Sequence, residues 1–441
     1  MNRKQRLELA RWAVSQAQKY GAGEVGVDIS NKREIEVEFR EGKLEQLKES
    51  TQNSLGLDIY ANSRYSSHST NDIRKESLEK FIGEAVAMTK YLTEDPYRSL
   101  PDPKYYQGQK EIDLQVNDPY YEKVTSEKRV KIAKELEKIA SAQSDKIISS
   151  TSGYGDTYFE ATKVNSNGFE GDRQGTYFSA GADVSVKDEI TGGRPDGWDW
   201  RTVRFYKDLP SEETLAKNAV KRALQRIGQT KLESGLYDMI IENRSGWRIF
   251  YSLYTPMKAS ALQQKSSFLE GKLGQKIGSD KLTVIDDPLV KSGIGSRLYD
   301  GEGMAAKRRV MMDKGILRSY YIDTYYGKKL EMEPTTGDAT NVVLDYGKRS
   351  LDEMVKGIKK GILVNSFIGG NSNSTTGDFS FGIGGLYIED GEIIKPVGEM
   401  NISGNLADFL NKLVEVGNDP YLYSSLRLPC MYFKDVQFSG I

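Results

Sequence analysis

EVGVDISNKREIEVEFREGKLEQLKESTQNSLGLDIYA, from Glu24 to Ala61, decides how the N-terminal part of this chain folds. Its apolar residues occupy every second position in three runs: Val25, Val27, Ile29; then Ile35, Val37, Phe39; then Leu55, Leu57, Ile59, Ala61. A period of two sends successive side chains to opposite faces of a strand, so each run predicts a strand with one buried face. Glu41-Gly42-Lys43 supplies a hairpin turn after the second run.

On either side the period lengthens. Upstream, Leu9, Ala10, Ala13, Val14, Ala17 and Tyr20 recur at helical spacing, with Gly21 as the stop. Downstream, Leu78, Phe81, Ile82, Ala85, Val86, Thr89 and Leu92 mark a second helix, and Asp95-Pro96 through Pro101-Asp102-Pro103 breaks regular structure as a linker. The middle segment repeats this logic without a convincing sequence repeat. A helix from about Ser126 to Ala142 precedes strand-like runs at Lys146–Thr151, Thr157–Val164 and Thr176–Val186. Asn167-Gly168 is a hairpin signal, and a further helix covers Ser211 to Ile227. From Leu236 onward β-signals and Gly dominate, interrupted by helical stretches near Trp247–Gln263 and Asn405–Val414. The expected fold is α+β: an N-terminal mixed α/β half with antiparallel strands and flanking helices, then a C-terminal β-rich domain. The expected domains are 1–103, 104–229 and 230–441.

Composition narrows the function. At 441 residues the chain exceeds what one hydrophobic core usually spans. Lys plus Arg number 62 against 63 Asp plus Glu, so no net field draws nucleic acid or an anionic membrane. No apolar run approaches the roughly 20 residues a membrane helix needs, and the N-terminus lacks an apolar signal core, which points to the cytoplasm. One Cys, Cys430, excludes an internal disulfide framework, and one His, His68, nearly excludes histidine-based triads and zinc sites.

The remaining motifs read mostly as architecture. Gly369-Gly370 and Gly382-Ile383-Gly384-Gly385 do not form a dinucleotide or P-loop fingerprint, and suit turns and close strand packing. Asp286-Asp287 and Asp300-Gly301-Glu302 carry oxygen ligands but lack EF-hand spacing, and read as solvated turns. Ser266-Ser267 and Cys430 are nucleophiles without an evident base; Cys430 lies in the apolar LRLPCMYF, where an inert thiol is expected. Trp198 and Trp200 share one strand face, as packing or as a stacking platform for a peptide or partner.

Three phrases carry a family resemblance: SFLEGKLGQKI (Ser267–Ile277), YDGEGMAAKRRVMMDKGILRSYYIDTYY, and TTGDFSFGIGGLYIEDGEIIKPVGEMNISGNLADFLNKLVEVGNDP (Thr375–Pro420). With EFREGKLEQLKEST, EDPYRSLPDP and VNSNGFEG in the N-terminal half, the chain resembles the PmbA/TldD family, once named modulators of DNA gyrase, and its PmbA/TldE branch most closely. The resemblance implies that TldD-branch relatives hold a catalytic zinc with a His-Glu-x-x-x-His helix and a downstream Cys. Two imidazoles and a thiolate bind the metal while the Glu takes a proton from its water. Counted back from Gly271, those helix positions fall here on Phe250, Tyr251 and Thr255, none an ordinary zinc ligand, and Cys430 lies beyond the expected Cys position.

The implied role is therefore a non-catalytic subunit that binds no cofactor itself. It would pair with a zinc-bearing TldD-type subunit, or with itself, around an extended peptide. The Gly- and Ser/Thr-rich stretch with Gly369, Gly370, Ser374, Thr375, Thr376 and Gly377 offers an edge to which such a peptide could add as a strand. A stand-alone homodimeric binding module, a modulator of gyrase, and an enzyme built on Asp286, Asp287, Asp300 and Glu302 are the alternatives.

Overall fold

The structure, a computed structural model, describes residues Met1–Ile441. Helix α1 (Arg3–Lys19) starts in a capping box, in which Asn2 and Gln5 each accept the other's backbone N–H. Strands β1 (Glu24–Arg40), β2 (Lys43–Ala61) and β3 (Arg64–Thr70) come next, then α2 (Lys75–Thr89). After an irregular stretch come α3 (Ser126–Ser141), β4 (Ile147–Asn165), β5 (Glu170–Val186), β6 (Asp196–Val203) and α4 (Glu212–Leu224).

These six strands form one antiparallel sheet in the order β3-β2-β1-β4-β5-β6. The helix–three strands–helix pattern occurs twice, and the two copies meet at the central β1–β4 pair. α1 and α2 pack over the first copy and α3 and α4 over the second, each pair sealing its own apolar cluster.

Two strand expectations are corrected. Val25–Ile29 and Ile35–Phe39 belong to one strand, as do Lys146–Thr151 and Thr157–Val164. The polar intervals do not interrupt them because both strands are central. Arg33, for example, lies opposite Thr51 on one side and Tyr158 on the other. Main-chain groups paired on both edges hold a strand together whatever its side chains carry. The hairpin turns stand where expected, with Glu41 and Gly42 at φ 49° and 75°, and Gly168 at φ 107°.

The C-terminal part is strand-rich. It contains β7 (Gly235–Ile241), α5 (Trp247–Tyr254), α6 (Ala259–Gln263), β8 (Val284–Asp286), β9 (Arg309–Asp313), β10 (Ile316–Leu317), α7 (Thr324–Leu330) and β11 (Val342–Leu344). Beyond these lie α8 (Leu351–Val355), β12 (Lys360–Ser372), β13 (Asp378–Glu389), β14 (Glu392–Asn405), α9 (Leu406–Asn411), β15 (Leu413–Val416), β16 (Leu426–Arg427) and β17 (Met431–Ser439). A six-stranded sheet runs β14-β13-β12-β7-β17-β15, and a further β14–β17 pairing closes most of it into a ring. Closure leaves free edge at β15 and along β12 beyond Val364, where β7 ends. A smaller sheet, β10-β9-β8-β11-β16, packs beside it, and α5 contributes to the apolar core between the two. No helix is long and apolar enough to cross a membrane.

Candidate functional site

α5 is the helix on which the resemblance places metal ligands, and its two faces differ sharply. Ile249, Phe250 and Leu253 are buried, while Trp247, Tyr251 and Thr255 are exposed one turn apart. Phe250 is 6% exposed and stacks on Tyr254 with ring centroids 5.8 Å apart. With Ile249, Leu253, Leu282 and Leu413 it lines an apolar void of about 30 Å³. Tyr251 faces solvent edge-on to Trp247, and the Thr255 hydroxyl donates to the Tyr251 carbonyl at 3.1 Å. Pro256, which has no N–H to extend the α-helical ladder, tightens the next turn to a 3-10 helix, Thr255–Met257. A phenyl ring offers a metal nothing, so this set does not fit the zinc ion that the resemblance implies for the other branch.

Cys430 does not supply what is missing. Its thiol is fully buried, with Sγ 3.6 Å from Met354 Sδ, and burial together with nearby Asp419 pushes it well above its ordinary pKa, away from thiolate. His68 lies in the N-terminal sheet on β3, hydrogen-bonded to the Ser66 hydroxyl at 2.8 Å. No three His, Cys, Asp or Glu side chains converge as a metal cluster.

The acidic turns are less solvated than their composition suggests. Asp286 and Asp300 are both buried. Asp286 accepts from the Thr340 N–H and hydroxyl; Asp300 accepts from the N–H groups of Glu302 and Met304, each at 3.0 Å. Depth is a correction to the solvated-turn reading; main-chain bonding of the turn is what its sequence requires. Glu302 accepts from Thr324 N and Oγ1 at the start of α7, and burial raises its pKa to about 7. A carboxyl raised in the folded state binds its proton more tightly there than in the unfolded chain. Stability is then full below pH 4.5 and declines until about pH 7. Relative to the parent, Glu302→Gln is expected to be more favourable at pH 8 than at pH 4, by at most about 3 kcal/mol. Denaturant titrations of both proteins at both pH values read this directly; an unchanged difference would contradict it.

The two tryptophans part company. The Trp200 ring lies over Gly153 and Gly181, where an added Cβ would collide with it, and its indole N–H donates to Asp183 Oδ2 at 2.6 Å. Trp198 is 42% exposed and stacks on the Arg244 guanidinium at 4.2 Å.

Ser374–Gly377 form the tip of the β12–β13 hairpin, and that tip is docked rather than free. Phe268 N–H donates to the Ser374 carbonyl, Leu406 N–H to the Gly377 carbonyl, and Asn405 Nδ2 to the Thr376 carbonyl. Thr375 N–H and the Thr376 hydroxyl bond to the neighbouring Asn373 and Asp378 side chains. Gly369 and Gly370, at φ 63° and 78°, form an irregularity in β12, and their carbonyls accept from Arg248.

Of these candidates, the structure brings Trp198 and Gly369 together in one groove of about 490 Å³ between β6 and β12. Its other walls come from residues the sequence did not single out: Arg222, Arg226, Arg244, Trp247 and Phe367. Of these only Arg244 and Trp247 carry a local signal, the dense Arg244-Ser245-Gly246-Trp247-Arg248 run. A larger cleft of about 880 Å³ separates the N-terminal sheet from the C-terminal part. In its wall Arg204, buried and stacked on Tyr177 at 3.9 Å, donates to the carbonyls of Thr176, Gly293 and Ile294 and so ties the two parts together.

Comparison with known proteins places this architecture. Family models of the PmbA/TldA metallopeptidases match in succession: domain 1 over residues 26–89, the central domain over 119–227 and the C-terminal domain over 234–440. Metalloprotease PmbA of Escherichia coli O157:H7 is 28% identical over 435 residues, covering 97% of this chain and 95% of that protein. A solved candidate modulator of DNA gyrase from Bacteroides thetaiotaomicron VPI-5482 is 38% identical, covers all of both chains and superposes with a TM-score of 0.97. TldE from Thermococcus kodakarensis, at 20% identity, covers 98% of this chain and all of its own with a TM-score of 0.87, and so shares the fold. This chain belongs to the PmbA/TldD family, on its PmbA/TldE branch.

Proposed function

We propose that this chain is the non-catalytic subunit of a TldD/TldE-type zinc metallopeptidase that acts on unfolded or extended peptides, with the zinc held by a TldD-type partner. The observation that carries the reading is the state of α5. The helix is kept, but the position facing the core is Phe250, the exposed ones are Tyr251 and Thr255, and the single Cys is buried and protonated. Open-site zinc catalysis needs three protein ligands and a water, and these residues do not supply them. A nearly complete family scaffold without that donor set fits an architectural half, which shapes the chamber and holds the peptide in the cytoplasm. The near-zero net charge fits a peptide better than nucleic acid as the bound polymer.

Metal analysis of the purified chain tests the first half of this reading. After exchange into metal-free buffer, zinc well below one equivalent per chain is expected. About one equivalent per chain, lost in Cys430→Ser or His68→Ala, would refute it.

A further inference from the structure

We propose that the groove between β6 and β12 binds an extended polypeptide segment carrying an acidic side chain, by main-chain pairing at Phe367, by contact with the Trp198 and Trp247 rings, and by arginine charge. The proposal deepens the peptide-holding role above and rests on it.

The first argument is the state of the two strand edges. β6 ends the N-terminal sheet, but its outward carbonyls are capped. Arg226 donates to Asp196 O at 3.0 Å, Arg244 to Trp198 O at 3.1 Å, and the Tyr421 hydroxyl to Trp200 O at 3.2 Å. No strand can add there.

β12 is different. Its partner β7 pairs only as far as Ile241, opposite Val364, and beyond that point one edge of β12 has no strand. The irregularity between Val364 and Ser366 turns the Asn365 carbonyl to the groove, where Ser245 Oγ donates to it at 2.8 Å. The Gly369 carbonyl, on the same side, is taken by Arg248. Strand alternation puts the N–H and C=O of Phe367 between them, also facing the groove, and neither meets a turn, loop or side-chain partner. One residue of edge is thus left open, enough to exchange a pair of hydrogen bonds with one residue of an extended chain. Ser366 Oγ, buried in the same wall, is also without a partner.

The second argument is charge. The groove is lined by Arg222, Arg226 and Arg244, which pair with Glu242, Asp196 and Asp199, and Arg248 bonds to its Gly369 carbonyl. Arg201 and Arg244 share Asp199, and Arg248 has no carboxylate within ion-pair distance. Arg248 thus leaves one guanidinium charge without a carboxylate beside the open edge, and the Asp199 charge is divided between two arginines. Arginine in surplus selects carboxylate.

The third argument is the pair of exposed rings. Trp198 and Trp247 are 42% and 44% exposed, and neither indole N–H has a partner. Exposed tryptophans in a concave polar setting serve as anchors for a bound chain.

The test is fluorescence anisotropy on this chain alone, using a labelled hexapeptide of small residues with one central Glu and an amidated C-terminus. Three comparison peptides carry Lys in place of Glu, a free C-terminal acid without Glu, or an N-methyl group at one central residue. The Glu peptide should bind at least about 10-fold more tightly than the Lys peptide, and the preference should shrink as salt rises. Trp198→Ala, Trp247→Ala and Arg248→Gln, all at exposed or half-exposed positions, should each weaken it by about 10-fold, as should one N-methyl group. Lys207→Ala, in the larger cleft, should leave it unchanged. Equal binding of the Glu and Lys peptides would overturn the proposal, as would indifference to both tryptophan substitutions. Binding of the free-acid peptide alone would also overturn it, by moving recognition to the chain terminus. Absence of binding alongside normal activation of a TldD-type partner would sink this proposal and leave the subunit reading standing.

Discussion

Phe250→Ala is expected to lower the stability of this chain by about 3–5 kcal/mol, the range for truncating a buried aromatic. Phe250 sits at the position where the other branch of the family is implied to carry its first zinc-binding His. Here it faces the apolar core beside Ile249, Leu253 and Leu282, and its ring stacks on Tyr254. The existing void of about 30 Å³ would merge with the space the ring vacates. A larger cavity lined by leucines cannot hydrogen-bond water, so relaxation offsets little of the loss. Thr255→Ala, at an exposed position of the same implied motif, should stay within about 0.5 kcal/mol. Urea titrations of the two variants compare them directly. A Phe250→Ala loss below about 1 kcal/mol would mean that this position has not become part of the core.

Arg129→Ala is the second large effect, expected at about 3–5 kcal/mol. Arg129 on α3 and Asp156 on β4 form an ion pair with side chains only 3% and 0% exposed. Arg129 Nε donates to Asp156 Oδ2 at 2.7 Å, and the Tyr154 hydroxyl donates to the same oxygen at 3.0 Å. Removing the guanidinium leaves a buried carboxylate with the Tyr154 hydroxyl as its remaining donor. The cost is that of an uncompensated charge rather than the net worth of the pair, so Arg129→Met with Asp156→Leu should recover most of the loss. Thermal or urea unfolding of the single and double variants decides it. A double variant no better than Arg129→Ala would show that the pair itself, not the stranded charge, carries the stability.

The helices of the N-terminal half were legible because each is amphipathic and lies over a single sheet. Ser126–Ala142 and Ser211–Ile227 compare with observed spans Ser126–Ser141 and Glu212–Leu224. The long strands were legible in pairs of fragments only. Period-two patterning reports which face is buried, and it fades at residues 30–34, where main-chain pairing on both sides alone continues β1. The acidic turns at Asp286 and Asp300 could be read as turns but not placed in depth, since turn chemistry is the same at the surface and beneath it.

The groove was the least legible feature. It joins residues near 198, 244–248 and 365–369, which no local spacing connects. Trp198 and Trp200 look equivalent along β6, yet the glycines at 153 and 181 on neighbouring strands give only Trp200 a flat bed. The identity of the neighbour across a sheet, not the residue itself, decides which ring is free. The α5 positions were legible through family resemblance alone, because a buried Phe, an exposed Tyr and a Thr on a short helix carry no signal of a lost ligand set.

The most direct measurement of the subunit role is cleavage of a denatured protein or flexible peptide by this chain alone, by a TldD-type protein from the same cell alone, and by the two mixed. The account predicts no turnover by this chain alone, and turnover by the mixture that exceeds the partner's own and is abolished by a zinc chelator. Metal-dependent cleavage by this chain alone, persisting after every contaminating peptidase is removed, would contradict it.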